Sequence, residues 1–332
     1  MNQRRAGVSN ETLARLHRTM LRIRLCEESL VGPILSGEIK TPCHLYTGQE
    51  AIAAGVCEHL EPTDTIFGHH RSHGHFLAKG GSMDEMVAEI YCRDSGCSRG
   101  LGGSMHITDP AVGMLGSAPI VAGTISLALG AALASHVRGD DRVTVSFFGD
   151  GAAGEGALYE SLNFAALRKL PIIFACENNL YSTHLPLREC HPEDRPLHLV
   201  GEPFGVYSSR IDGNDVLATF EAARDAVARC RGGEGPVFLE FMTYRMRGHV
   251  GPDDNIQGTH TDIRPDSEVA EWQARDPIDQ LERRLIEDGV MSRSELDRVR
   301  EKLETEVEAA HEFARNSATP TTEEAAHYVF PA

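Results

Sequence analysis

Two apolar runs in this chain, VTVSFF at 143–148 and PIIFAC at 171–176, stop abruptly on small polar residues. The first gives way to Gly149-Asp150-Gly151 and the second to Glu177-Asn178-Asn179. Asp150 offers a hard anionic oxygen, Asn179 a neutral carbonyl oxygen, and the Tyr181 backbone a third oxygen just beyond. Such a set suits magnesium, which takes octahedral oxygen ligands and is commonly shared between one or two protein groups and the phosphates of a ligand. Gly151 carries no side chain, so a diphosphate can come close to the backbone there. A cation–diphosphate clamp at two neighbouring strand ends is the chemistry these residues point to.

A second chemistry competes. Gly149-Asp150-Gly151-Ala152-Ala153-Gly154 matches GxGxxG between a strand and a helix, and Glu177 stands near the place of a ribose-binding acid, so a dinucleotide site is a rival reading. It would aim Asp150 at a pyrophosphate. Two unit charges about 4 Å apart repel by roughly 4 kcal/mol at an effective dielectric near 20. A helix N-terminus returns only about 0.3–1 kcal/mol, up to ~2, whereas a divalent cation between the charges reverses the sign. The bland alternative, a tight turn at GDG and a cap at NN, needs both endings to be coincidental. The run GHHRSHGH at 68–75 holds His69, His70, His73 and His75 and invites a zinc-hydrolase reading, although such sites usually add a distant ligand.

These residues need a frame to hold them. Glu155 to Lys169 reads as a helix with Leu158, Leu162 and Ala166 inward, Asp215 to Cys230 as another, and PVFLEFM at 236–242 as a further strand. Strand–helix alternation at these spacings predicts an α/β fold, a parallel sheet with helices on both faces. In such sheets ligands bind beyond the carboxyl ends of the strands. Upstream, Asn10 can cap a helix through Leu13, Leu16, Met20 and Ile23 that Gly32-Pro33 ends, and Ser82 to Glu85 reads as a capping box. The long glycine-rich stretch SGCSRGLGGSMHITDPAVGMLGSAP reads as a functional loop. Gly251 to Asp266 reads as an exposed loop, and residues 276–315 as a charged peripheral helical extension. The division expected is an N-terminal helical extension at 1–40, a diphosphate-binding domain at 41–255 and a C-terminal loop and helical extension at 256–332.

Composition narrows the class. The 332 residues are 41% hydrophobic and 24% charged, as in an ordinary globular protein. A net charge of -17 leaves no basic surplus to displace counterions from nucleic acid. The sequence shows neither a membrane-length apolar run nor an export signal, so no membrane association and a cytoplasmic location are expected. None of the eight cysteines forms a CxxC pair, and reduced thiols are the expectation.

The GDG…NN pair resembles the thiamine-diphosphate signature. With CHLYTGQEA (43–51), RSHGHFLAKG (71–80), RGLGGSMHI (99–107) and TYRMRGH (243–249), the chain resembles alpha subunits of bacterial 2-oxo acid and acetoin dehydrogenases. The resemblance implies the thiamine-diphosphate-binding fold, with thiamine diphosphate and Mg2+ as cofactors. Asp150, Asn179 and the Tyr181 carbonyl would then hold the metal. Arg71 and Arg245 match diphosphate-holding positions, as suits a guanidinium fork. His70 stands where mitochondrial relatives have a tyrosine. Ile120 and Val121 match a turn that meets the pyrimidine, although SAPIVAG departs from GxNGIVG and puts Pro119 where glycine is common. Gly149, Gly151 and Ala152 complete the cofactor set, and His73 and His249 would face the substrate, His249 also touching the cofactor.

The glutamate that activates the pyrimidine comes, in this family, from a separate beta subunit. The resemblance therefore implies half a site, completed in an α/β heterotetramer. The implied reaction is oxidative decarboxylation of a 2-oxo acid, or cleavage of acetoin, with transfer of the acyl group to the lipoamide of a lipoyl acyltransferase. A non-oxidative carboligase or transketolase-like pair would share the clamp and the partner. A Rossmann-type nicotinamide dehydrogenase is a further rival.

Overall fold

The computed structural model describes residues 7–252 and 264–327. Most of the polar stretch expected as a loop from Gly251 to Asp266 lies outside them. Among the described residues the strands are β1 (Thr65–Gly68), β2 (Met114–Ser117), β3 (Thr144–Gly149), β4 (Ile172–Asn178), β5 (Tyr181–Ser182), β6 (Leu185–Pro186), β7 (Tyr207–Asp212) and β8 (Val237–Met242). One sheet runs in the order β2-β1-β3-β4-β8-β7, and every neighbouring pair is parallel. β5 and β6 make a small antiparallel hairpin just past β4.

Alternation along the strands explains why both faces are covered. Ile173 and Ala175 of β4 join Val145, Phe147, Val237, Leu239 and Phe241 in one core. Ile172, Phe174 and Cys176 join Phe148 and Phe238 in the other. Each such apolar side chain contributes about 1.5–3 kcal/mol by leaving water. Helices Gly123–Arg138 and Gly156–Arg168 cover the second core through Ile125, Ala128, Leu158 and Leu162. The first core takes Ile52 and Val56 from helix Glu50–Cys57 and Ala223 and Val227 from helix Val216–Arg231. The α/β layering expected from the sequence is thus present.

The ends of the chain are less peripheral than their charge suggested. Ile23 and Cys26 of helix Asn10–Ser29, and Val307, Ala310 and Ala314 of helix Arg293–Asn316, belong to the same core as the strands. Ser9 rather than Asn10 caps the first helix, its Oγ accepting from Thr12 N–H at 3.1 Å. Gly32 and Pro33 lie inside a short second helix, Val31–Leu35. Ser82 Oγ accepts from Glu85 N–H at 3.3 Å and caps helix Met83–Ile90.

The glycine-rich loop after that helix is fastened by one buried carboxylate. Glu89 accepts backbone N–H bonds from Ser98, Gly100 and Gly102 at 2.8 Å and from Gly103 at 2.9 Å. Among the described residues no helix is long and apolar enough to cross a membrane.

Candidate functional site

β3 and β4 lie side by side with Gly149 opposite Glu177, so the two polar endings meet at one edge of the sheet. Alternation then sends the β4 residues apart. Glu177 falls on the face of Ile173 and Ala175, and Asn178 on the face of Phe174 and Cys176. Asn178 Nδ2 donates to buried Glu240 Oε1 at 2.7 Å, and its Oδ1 accepts from Leu180 N–H at 3.1 Å. Only Asn179, past the strand end, reaches the cleft that Asp150 lines.

Asp150 is 3% exposed. The backbone N–H groups of Asp150 itself and of Asn179 favour its charged form. Among the described residues Oδ2 has no hydrogen-bond partner. Burial pushes the carboxyl up to about 6, against those N–H groups and the charge of Arg245. A buried polar atom left without a partner costs about 1–3 kcal/mol, more when charged, and a cation at Oδ2 removes that cost. Asn179 Nδ2 donates to Gln49 Oε1 at 3.0 Å, which fixes the amide, while Oδ1 accepts Tyr181 N–H at 3.3 Å. In the hairpin Leu187 N–H donates to Leu180 O at 2.8 Å, so the next peptide, that of Tyr181, turns to the opposite edge. An anionic oxygen, an amide oxygen and a carbonyl oxygen are the donor set of a hard cation.

The two glycines both line the cleft but differ in what stands beside them. A Cβ on Gly151 would stand 2.4 Å from Ser182 Oγ, so its missing side chain makes room for the hairpin. A Cβ on Gly149 meets nothing within 4 Å, and it is here that bare backbone faces open space. Residues 150–154 form a 3-10 turn before helix Gly156–Arg168, and Glu177 is wholly buried, so neither the turn nor the acid matches a dinucleotide site.

Arg71 and Arg245 line the same cleft at 1% and 2% exposure. Arg71 Nη1 donates to Leu45 O at 2.6 Å and Nη2 to His249 O at 3.2 Å. Arg245 Nη2 donates to Thr183 O at 2.9 Å. Burial, with the charge of Arg245, pulls Arg71 down to about 9, so this pair is electrostatically costly until an anion joins it. Burial and neighbouring cations also push His249 down to about 2 and His44 to about 3, and His70 falls far lower. These imidazoles are therefore neutral donors or acceptors at ordinary pH. Ala152 is buried against the cleft, while Ile120 and Val121 stand on its rim at 69% and 54% exposure.

His73 is not brought to the cleft, which corrects its expected substrate-facing role. It is fully buried, with Nδ1 on Glu27 Oε1 and Nε2 on Ser104 Oγ, both at 2.9 Å, where helix His73–Ala78 turns inward. The four histidines of GHHRSHGH thus have three different surroundings: His73 meets Glu27 and Ser104, His70 lines the cleft, and His69 and His75 both meet Glu177. Gln49, His44 and Thr183 are site residues that sequence reasoning did not single out. The first two lie in the CHLYTGQEA segment, whose match was visible while its contacts were not. A larger cavity of about 280 Å³ opens beyond Tyr181, and its buried carboxylate, Glu240, is met by Asn178 and His198.

Residues 18–323 match the family described as dehydrogenase E1 component. Over 99% of its length the chain is 36% identical to the pyruvate dehydrogenase E1 component subunit alpha of Porphyra purpurea, covering 96% of that protein. It is equally 36% identical to the alpha subunit of acetoin:2,6-dichlorophenolindophenol oxidoreductase of Bacillus subtilis, over 97% of this chain and 95% of the other. Against the human mitochondrial, somatic-form pyruvate dehydrogenase E1 component subunit alpha the identity is 34%, over 95% of this chain and 78% of that protein.

Proposed function

Because the chain belongs to the dehydrogenase E1 component family, we propose that it is the alpha subunit of a thiamine-diphosphate- and magnesium-dependent dehydrogenase. It oxidatively decarboxylates a pyruvate-like 2-oxo acid or cleaves acetoin, and its acyl group passes to lipoamide. The observation that carries the reading is Asp150, a buried carboxylate with one oxygen unpartnered among the described residues, in a cleft that two buried arginines also line.

Asp150, the Asn179 amide oxygen and the Tyr181 carbonyl would hold Mg2+. Arg71 and Arg245 would grip the diphosphate, which approaches over Gly149. Thiamine diphosphate, when bound, supplies the electron sink for cleaving the bond beside the substrate carbonyl. His249 Nδ1 accepts from Arg71 Nη2 at 3.4 Å, so the ring proton sits on Nε2 and makes His249 a donor toward ligand. Among the described residues Asp150 is the only carboxylate lining the cleft. It would hold the metal, and the group that activates the pyrimidine would come from a beta subunit. Ile120, Val121 and Leu127, each more than half exposed beside the cleft or on the following helix, suit such a cover.

The test mixes the purified chain with its beta-type subunit, magnesium and thiamine diphosphate. Dye reduction driven by a 2-oxo acid or acetoin is then measured, with and without lipoamide. Turnover is expected only with both subunits, and full activity from this chain alone overturns the two-subunit reading.

A further inference from the structure

Behind the cleft stands a second buried carboxylate that the cofactor reading does not use. Glu177 is fully buried and accepts from three side chains: Tyr46 OH, His69 Nε2 at 2.7 Å and His75 Nε2 at 2.9 Å. His69 also lines the cleft, and Arg71 follows it by two residues. We infer that Glu177, acting through His69, is a positioning group that fixes the loop carrying Arg71 and thereby sets the grip on the diphosphate. The inference rests on the cofactor reading above.

The donor assignments follow from the bonds themselves. Ser72 Oγ donates its proton to His69 O at 2.6 Å, so toward His75 Nδ1, 3.3 Å away, it accepts. His69 Nδ1 accepts the Arg71 backbone N–H at 3.3 Å, which leaves its proton on Nε2, facing Glu177. A continuous chain of bonds thus runs from the Glu177 carboxylate through one imidazole to the peptide of Arg71. The loop is wound tightly around it: a Cβ on Gly68 would stand 2.0 Å from Ser72 Oγ and 3.2 Å from His75 Nδ1.

Charge favours the same role. Three donors, Tyr46, His69 and His75, converge on the Glu177 carboxylate. The anion then lies behind the Arg71–Arg245 pair and offsets part of its repulsion. A metal ion among His69, His75 and Glu177 is the competing use of the cluster. Ligands about 2.0–2.1 Å from a tetrahedral zinc stand roughly 3.3 Å apart. The contacts here, 2.7 and 2.9 Å, are hydrogen-bond distances.

The experiment is a calorimetric titration of the full chain with magnesium pyrophosphate, for the wild type, His69→Ala, Arg71→Ala and the double variant. His69→Ala should weaken binding about tenfold, within the range for residues that orient a binding group. In the Arg71→Ala background the same change should add almost nothing, because His69 acts through that arginine. Independent, multiplicative losses overturn the inference, as does unchanged affinity in His69→Ala. If that variant does not fold, His69→Asn carries the same expectation. It keeps an acceptor near the Nδ1 position but is too short to reach Glu177. Absence of binding by the wild-type chain overturns the cofactor reading and this inference with it, whereas wild-type binding that ignores His69 overturns the inference alone.

Discussion

Asp150 and Glu177 end adjacent strands, differ by one methylene and are both almost wholly buried, yet they are opposite kinds of residue. Glu177 accepts from two imidazoles and a phenol and sits at about 2. Asp150 keeps one oxygen without a partner among the described residues and is pushed up to about 6 by burial. Burial is common to both, so the number and charge of partners decides. A carboxylate whose partners are internal is part of the fold, and one whose partners are incomplete is part of a site.

The widest gap between the two should appear in stability. Glu177→Ala leaves His69, His75 and Tyr46 without their shared acceptor, and breaking a buried charged network costs about 3–5 kcal/mol. The denaturant midpoint should fall accordingly. Asp150→Ala should move it by less than about 1 kcal/mol, since the group removed is itself incompletely partnered. A comparable loss of stability in both variants breaks the comparison.

Binding should reverse the order. Asp150→Ala is expected to weaken magnesium-dependent thiamine diphosphate binding at least about a hundredfold, or about 2.7 kcal/mol. Chelation of magnesium should do the same to the wild type and nothing further to the variant. Titration calorimetry with and without chelator measures both, and unchanged affinity in Asp150→Ala removes the metal from the site.

Much of this was legible in the sequence, and the exceptions have physical causes. β3, β4 and β8 are apolar on both faces, so their runs stand out, and GDG and NN mark their ends. β1 is only TIFG, and β7, YSSRID, is a half-exposed edge strand, so neither has an apolar run to read. Val307, Ala310 and Ala314 form a narrow buried stripe on a helix whose other faces are charged, and average charge concealed it. Within the site, residue type pointed to Asp150 and Asn179, and the family resemblance to Arg71 and Arg245. Type says nothing about which way a ring points, and so His73 drew a role that its contacts with Glu27 and Ser104 forbid. Partner count, the property that separates Glu177 from Asp150, exists only once the chain is folded.

The same division should hold within Asn178-Asn179. Asn178→Ala removes a bond to a buried carboxylate and should cost about 1–3 kcal/mol in stability, leaving diphosphate affinity nearly untouched. Asn179→Ala should also lose stability, because it leaves buried Gln49 unpaired, but unlike Asn178→Ala it should lower magnesium-dependent affinity about tenfold, or about 1.4 kcal/mol. Melting curves and titrations on both variants decide it, and exchanged phenotypes would mean that the wrong amide faces the cleft.

The smallest effects should come from the glycines. Gly149 has open space above it, so Gly149→Ala should fold normally and lose affinity only severalfold, as the new methyl meets the incoming diphosphate. Gly151→Ala meets Ser182 Oγ at 2.4 Å instead. Ser182 can turn its hydroxyl aside but its Cβ, 3.1 Å from the new methyl, cannot leave without moving the hairpin. That variant should therefore lose stability first, by about 1–3 kcal/mol as overpacked sites do, and affinity only through the displaced Tyr181 carbonyl. A Gly149→Ala chain that melts early while binding normally would place the open face of the backbone at Gly151, as residue type alone suggested.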